Sequence, residues 1–186
     1  MQSVLVAFGH AQEADDTSGI DFVVKQRHNP DADVRYGVVF ALLGRSDHLS
    51  ISTLIELSND SDSDVRDWAT FGLGDQIDID NKEIREALWQ RVTDPDLDTK
   101  CEAILGLARR HDKRIFPILS EMLESEAPTS LVFEAVAEFG DQRHLPRLRT
   151  IYQKAKDEDG INQGWLDTLN DAIEKLEEKG HMPGTP

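Results

Sequence analysis

Asp33-Val-Arg-Tyr-Gly-Val-Val-Phe-Ala-Leu-Leu43 and Asp64-Val-Arg-Asp-Trp-Ala-Thr-Phe-Gly-Leu-Gly74 are two copies of one pattern, and Asp98-Thr-Lys-Cys-Glu-Ala-Ile-Leu-Gly-Leu-Ala108 and Ser130-Leu-Val-Phe-Glu-Ala-Val-Ala-Glu-Phe-Gly140 continue it. The four copies start 31, 34 and 32 residues apart. In the second copy Val65, Ala69, Gly72 and Leu73 fall at i, i+4, i+7 and i+8, one stripe of an α-helix. A helix-type stripe recurring at this period marks stacked helical units, each of which buries its apolar face against its neighbours.

A second helix follows each first one, running from Asp47 to Leu57, Asn81 to Val92, Asp112 to Leu123 and Asp141 to Tyr152. Pro117 and Pro146 fall in the opening turns of two of these, where the missing N–H has no helical partner. The repeated aspartates Asp33, Asp64 and Asp98 stand just before the apolar stripe of each first helix and are expected to cap it. Gly44, Gly74 and Gly140 are expected to close those helices. Polar turns at Asn29-Pro-Asp-Ala32, Asn59-Asp-Ser-Asp-Ser63 and Asp94-Pro-Asp-Leu97 separate the units.

Asp-x-Asp-Val-Arg at 31–35 and 62–66, the Gly-Leu-Gly-Asp ending at 72–75 and the proline-containing second helices make the chain resemble the HEAT-repeat family, in its short bacterial units of the phycobilisome-lyase type. The resemblance covers about residues 1–156, with Thr99-Lys100 and Leu131-Val132 departing from Val-Arg in the later copies. It implies an all-α fold, a right-handed α-α superhelix of about five helix pairs closed by a C-terminal capping helix. Residues 1–179 are expected to form a single solenoid domain and 180–186 a flexible tail. The first pair is incomplete, because Ala7-Phe8-Gly9 aligns with Ala41-Leu42-Leu43 and Met1 then falls level with Arg35. Val4, Leu5 and Phe8 would lack a cover, which points to a loosely ordered start, a piece of a longer chain or a self-association edge. The apolar positions Leu166, Leu169, Ile173 and Leu176 mark the final cap.

The resemblance also implies a role for Arg35, Arg66 and Lys100, which recur at one place as a basic ladder: pairing with acids in the adjacent inter-unit turns. Exposed pairs of this kind contribute about 1 kcal/mol or less. Trp68 stands where the sister units hold Gly37, Glu102 and Glu134, so its register tells against burial and makes it a candidate partner contact. Tyr36 and Phe133 sit one place earlier in their units and would extend that surface; filling gaps between units is the alternative for all three. Trp89 aligns with Ile55 and Val24 and is expected in the core, and Trp165 opens the last helix.

Composition limits the function. Twenty Lys and Arg against 36 Asp and Glu give a formal net charge of −16, which repels a phosphate backbone and favours a basic partner or simply solubility. The single cysteine, Cys101, cannot form an intrachain disulfide, and no apolar run is long enough to span a membrane, so a cytoplasmic home is expected. Asp60, Asp62 and Asp64 alternate like the opening of a calcium loop, but Val65 and Phe71 stand where that loop needs Gly and Glu. The six histidines are scattered without metal-ligand spacing, so no catalytic, cofactor or metal residue is assigned. The expected function is a non-enzymatic scaffold that binds a protein with basic patches through its second helices and inter-unit turns. Neutralising a basic protein, in an immunity or antitoxin role, is one version. The alternatives implied by the resemblance are a bilin lyase-like, chromophore-handling protein and a HEAT-like nucleic-acid binder.

Overall fold

The computed structural model describes residues 17–181. They form ten α-helices and, among the described residues, no strand. Helix α1 (Thr17–Val24) precedes four pairs: α2 (Ala32–Leu42) with α3 (His48–Leu57), α4 (Ser63–Gly74) with α5 (Lys82–Arg91), α6 (Leu97–Arg109) with α7 (Phe116–Leu123), and α8 (Ser130–Phe139) with α9 (Leu145–Ala155). Helix α10 (Gln163–His181) closes the array. Val24 lies in α1, so α1 occupies the second-helix place of the first unit. The rest of that unit, including Val4, Leu5 and Phe8, lies outside the described residues, as do residues 182–186. The closing helix takes in Gly180 and His181, which the sequence assigns to the tail.

The chain divides into two compact units, one ending at Gly106 and the other beginning at Leu107, with the boundary inside α6. In the first unit α2 packs on α3 and α4, and α4 on α5, so α2 meets both its pair-mate and its counterpart in the next repeat. Val38, Val39, Leu42, Leu54, Val65, Ala69, Leu73, Ile84 and Leu88 form this core. In the second unit α8 and α9 both pack on α10. Leu119, Leu123, Phe133, Leu148, Leu169 and Leu176 are sealed there. Each such large apolar side chain contributes about 1.5–3 kcal/mol of transfer free energy.

The residues with which the second-helix segments open, Asp47, Asn81, Asp112 and Asp141, are capping residues. Asp47 accepts a hydrogen bond from Ser50 N–H at 3.0 Å and Asn81 from Ile84 N–H at 2.8 Å. Asp112 and Asp141 cap short 3₁₀ turns that lead into α7 and α9, with Pro117 and Pro146 in the first helical turn. For the first helices the assignment is corrected by two residues. Asp31 accepts from Asp33 N–H, Asp62 from Asp64 and Val65 N–H, and Asp96 from Thr99 N–H. Asp33, Asp64 and Asp98 are first-turn residues, where a carboxylate is favoured by the helix dipole rather than needed as a cap. Gly44 and Gly140 take positive φ at helix ends, but Gly74 is the last helical residue of α4 and is buried against α6.

The basic ladder forms at two rungs. Arg35 binds the Asp60 carboxylate through Nε and Nη2, both at 2.7 Å, and donates Nη1 to the Asn29 carbonyl at 2.8 Å. Arg66 repeats this one unit on, with Asp94 at 3.0 and 3.1 Å and the Asp60 carbonyl at 2.8 Å. Each guanidinium thus ties the turn before its own helix to the turn after its unit. Asp60 is accounted for by this ladder, Asp62 by capping and Asp64 by its place in the first helical turn. The rungs are more buried than the sequence implies, since the Asp94 side chain is only 1% exposed. Lys100 makes no ion pair among the described residues, and Val132 carries no charge, so the ladder is confined to the first two sites.

Candidate functional site

The heptad spacing of α2 and α4 sets four aromatic rings side by side in the first unit. Tyr36 and Phe40 are four residues apart on α2, and Trp68 and Phe71 three apart on α4, so each pair shares one helix face. Phe40 lies 4.9 Å from Tyr36 and 4.7 Å from Trp68, ring centre to ring centre. Trp68 meets Tyr36 edge-on at 6.2 Å and Phe71 at 5.5 Å. The cluster is not sealed: Phe40 is 41% exposed, and Tyr36, Trp68 and Phe71 are partly exposed. Three mutually contacting rings, with Phe71 joined to them through Trp68, left partly in water, form the kind of apolar platform that dominates protein interfaces.

The sequence finds Trp68 and Tyr36 but misses Phe40 and Phe71, whose signal was the aromatic spacing within each helix. Phe133 is corrected. It is fully buried, because α10 packs on α8 and lays Trp165 edge-on against it at 5.1 Å. Trp165 is fixed in turn by an indole N–H donated to the Pro128 carbonyl at 2.7 Å. Trp89 is partly rather than fully buried.

Carboxylates border the aromatic platform. Asp64 and Asp67 lie on α4 near enough to act on Tyr36, and Asp96 and Asp98, at the start of α6, are near enough to act on Asp67. Burial, then the charges of Asp96, Asp98 and Asp64, push the Asp67 carboxyl up to about 6. One of its oxygens is shielded from solvent with no hydrogen-bond partner. Burial, with Asp64 and Asp67, also raises the neighbouring Tyr36 hydroxyl. Of the 36 acids, 21 fall in residues 1–106 against 9 Lys and Arg, while 107–186 hold 15 against 11, so most of the negative surplus belongs to the part of the chain that carries the rings.

Asp67 has a measurable consequence. Its folded-state carboxyl titrates above the ordinary aspartate value, so the folded chain keeps a proton that the unfolded chain gives up as pH rises from about 4 to about 6. Stability at this site is therefore lost as pH rises through that window. Asp67→Asn is expected to leave stability nearly unchanged at pH 4 and to raise it by about 1 kcal/mol at pH 7, after allowance for solvent screening of a partly exposed group. Urea unfolding at the two pH values measures the difference; an equal effect at both would contradict it.

On the second-helix side, where the sequence places the binding face, the second unit holds an open cleft of about 960 Å³. Arg147, Ile151 and Lys154 of α9 line it with Glu158, Ile161 and Trp165. Its walls carry both signs of charge. Among the described residues, no group of three or more His, Cys, Asp or Glu side chains is arranged to hold a metal ion, and no helix is long and apolar enough to cross a membrane. Cys101 is buried.

Residues 51–131 match the family model of HEAT repeats. Protein YibA of Escherichia coli strain K12 is 34% identical over 143 residues, covering 77% of this chain and 48% of YibA, and YibA of Escherichia coli O157:H7 aligns to the same extent. The chain thus spans about half the length of the curated relatives it matches. Among solved structures, the X-ray structure of Escherichia coli YibA superposes with a TM-score of 0.71 at 26% identity, over 94% of this chain and 67% of that one. The crystal structure of an engineered protein superposes with a TM-score of 0.59 at 18% identity, over 95% and 87%, a likeness of fold alone.

Proposed function

We propose that this chain, whose residues 51–131 are HEAT repeats, is a non-enzymatic scaffold that binds a protein partner carrying basic patches. The observation that carries the reading is the exposed ring cluster Tyr36, Phe40, Trp68 and Phe71 with aspartates at its border. Lys and Arg side chains suit such a surface twice, since their charges meet the carboxylates and their cationic heads stack on aromatic faces. This moves the favoured surface from the second helices to the first helices α2 and α4. Covering and neutralising a basic protein, as an immunity or antitoxin protein does, is the version the acidic charge favours. The lone buried Cys101 fits a reducing, cytoplasmic setting.

A tagged pull-down from source-cell lysate at low and moderate salt, with mass spectrometry and then a binding titration of the purified partner, tests the proposal. A stoichiometric basic protein whose affinity falls with added salt is the expected result. Trp68→Glu should weaken that complex by about 30-fold or more, the loss typical of an interface hot spot, while leaving the unfolding transition close to that of the parent. An acidic or neutral partner indifferent to Trp68→Glu would defeat the reading.

A further inference from the structure

The second unit carries a surface of opposite character. Its groove lies between the turn that ends α6, the start of α7 and the turn from α8 to α9, and its lining includes His111, Lys113, Phe116, Phe139, Asp141 and Arg143. Phe116 and Phe139 form a tilted ring pair with centres 6.3 Å apart. The Arg143 guanidinium lies 3.8 Å from the centre of the Phe116 ring and is held by the Asp141 carboxylate at 2.6 and 2.9 Å. Its side chain nevertheless remains 69% exposed, so one cation is fixed in direction and open to water. Lys113 is exposed and has no ion pair among the described residues.

His111 adds an independent sign that this groove is built for use. Its φ of +49° makes it the one non-glycine residue with positive φ among those described, and the same place in the next unit, before the capping aspartate, is Gly140 at +75°. Glycine takes that conformation without strain, so histidine is held there at a cost. The ring contacts the Phe139 carbonyl through Nδ1 at 3.2 Å. A carbonyl only accepts, so Nδ1 carries the hydrogen and Nε2 is left for a ligand.

We propose that this groove docks an acidic peptide segment of a partner protein, its carboxylates meeting Lys113 and Arg143, a backbone N–H of the peptide donating to His111 Nε2, and an apolar or aromatic side chain resting against Phe116 and Phe139. The net charge of −16 does not preclude this, because at physiological salt charges beyond about 8 Å are largely screened, and the groove's own lining sets two cations, Lys113 and Arg143, against the one carboxylate of Asp141. The inference stands apart from the aromatic surface of α2 and α4 and does not rest on it.

The test is a nuclear magnetic resonance titration of the nitrogen-15-labelled 186-residue chain with the blocked peptide Glu-Asp-Glu-Phe-Glu-Asp-Glu, alongside inorganic phosphate and a single-stranded oligouridine. Saturable shifts at the amides of His111, Lys113, Gly140 and Arg143 are expected from the peptide. Lys113→Gln and Arg143→Gln, both at exposed side chains, should each weaken it by about tenfold, whereas Trp68→Glu should leave it unchanged. Shifts scattered over the chain, or unaffected by both glutamine variants, would overturn the proposal. So would the same pattern from phosphate alone, which would make the groove a simple ion site, or a stronger response to oligouridine, which would make it a nucleic-acid surface.

Discussion

Arg66→Met is expected to lower the stability of the chain by about 3 kcal/mol at neutral pH, a loss of about 8 °C in midpoint temperature for a protein of this size. The reason is what it leaves behind. The Asp94 side chain is 1% exposed, and Arg66 supplies two of its hydrogen bonds, so removing the guanidinium strands a buried carboxylate. Arg91 remains 3.2 Å from Asp94, which holds the loss to the low end of the range for broken buried pairs. Burial alone would push the Asp94 carboxyl up, but hydrogen bonds from Arg66 and the Asp96 N–H, with the charges of Arg66 and Arg91, bring it below its ordinary value. Its contribution is therefore complete above about pH 4 and disappears as pH falls through the lowered folded value. The gap between Arg66→Met and the parent should narrow in acid. Adding Asp94→Asn to Arg66→Met should recover much of the loss at pH 7, because a neutral amide there no longer needs a cation. A gap that stays constant with pH, or a double variant no more stable than Arg66→Met, would show that the ion pair is not what holds this turn.

The repeats and the ladder are legible in the sequence because they are local or periodic. Arg35 and Arg66 sit one period apart, as do Asn29, Asp60 and Asp94, and each arginine reaches only to the next turn. Asp47, Asn81, Asp112 and Asp141 are readable for the same reason, since each cap bonds N–H groups two or three residues along the chain. The first-helix caps are misread because Asp-x-Asp offers two acids of one chemistry. Only the backbone conformation, extended at Asp31 and Asp62, distinguishes the cap from the first-turn residue. Phe133 is misread for a different reason. Its repeat position matches Tyr36, but what covers it is Trp165 on α10, a helix outside the repeat pattern. Repeat register predicts a residue's surroundings only where the neighbouring unit is another copy.

The aromatic cluster combines both cases. Register tells against burial of Trp68, which is partly exposed, and the equivalent Gly37 carries no ring to match it. What the aligned copies conceal is that Phe40 and Phe71 occupy the same repeat place, level with Leu105 and Ala137, which are buried. The substitution of large rings at this place in two successive units, beside Tyr36 and Trp68, turns ordinary core positions into a partly exposed platform. The surplus of acids over cations in the same half of the chain then gives that platform its sign. The groove at Phe116 and Phe139 follows from packing between turns and from the backbone at His111, neither of which has a periodic signature.

Gly106→Ala should destabilise the chain by about 2–3 kcal/mol, although alanine is the better helix former by about 1 kcal/mol. A Cβ at Gly106 would stand 2.6 Å from the Gly74 Cα and 3.1 Å from a Leu88 methyl. The first of these is backbone, so no rotamer change relieves it; α4 and α6 must move apart, and the tightly packed contacts around Leu73, Leu88 and Ala103 loosen with them. Gly74 is matched to this approach from the other side, with a Cβ there meeting the Glu102 carbonyl at 3.2 Å and the Gly106 Cα at 3.3 Å. Gly19→Ala is the counterpart that isolates the cause. Gly19 is also helical, in α1, but has nothing within 4 Å of its Cβ position, so the same substitution there should stabilise by up to about 1 kcal/mol. Urea unfolding of the two variants beside the parent decides the matter. Opposite signs mean that the seam between α4 and α6 is set by glycine-to-glycine contact, whereas a stabilising Gly106→Ala would mean that the helices have room to spare and that the repeats are held together elsewhere.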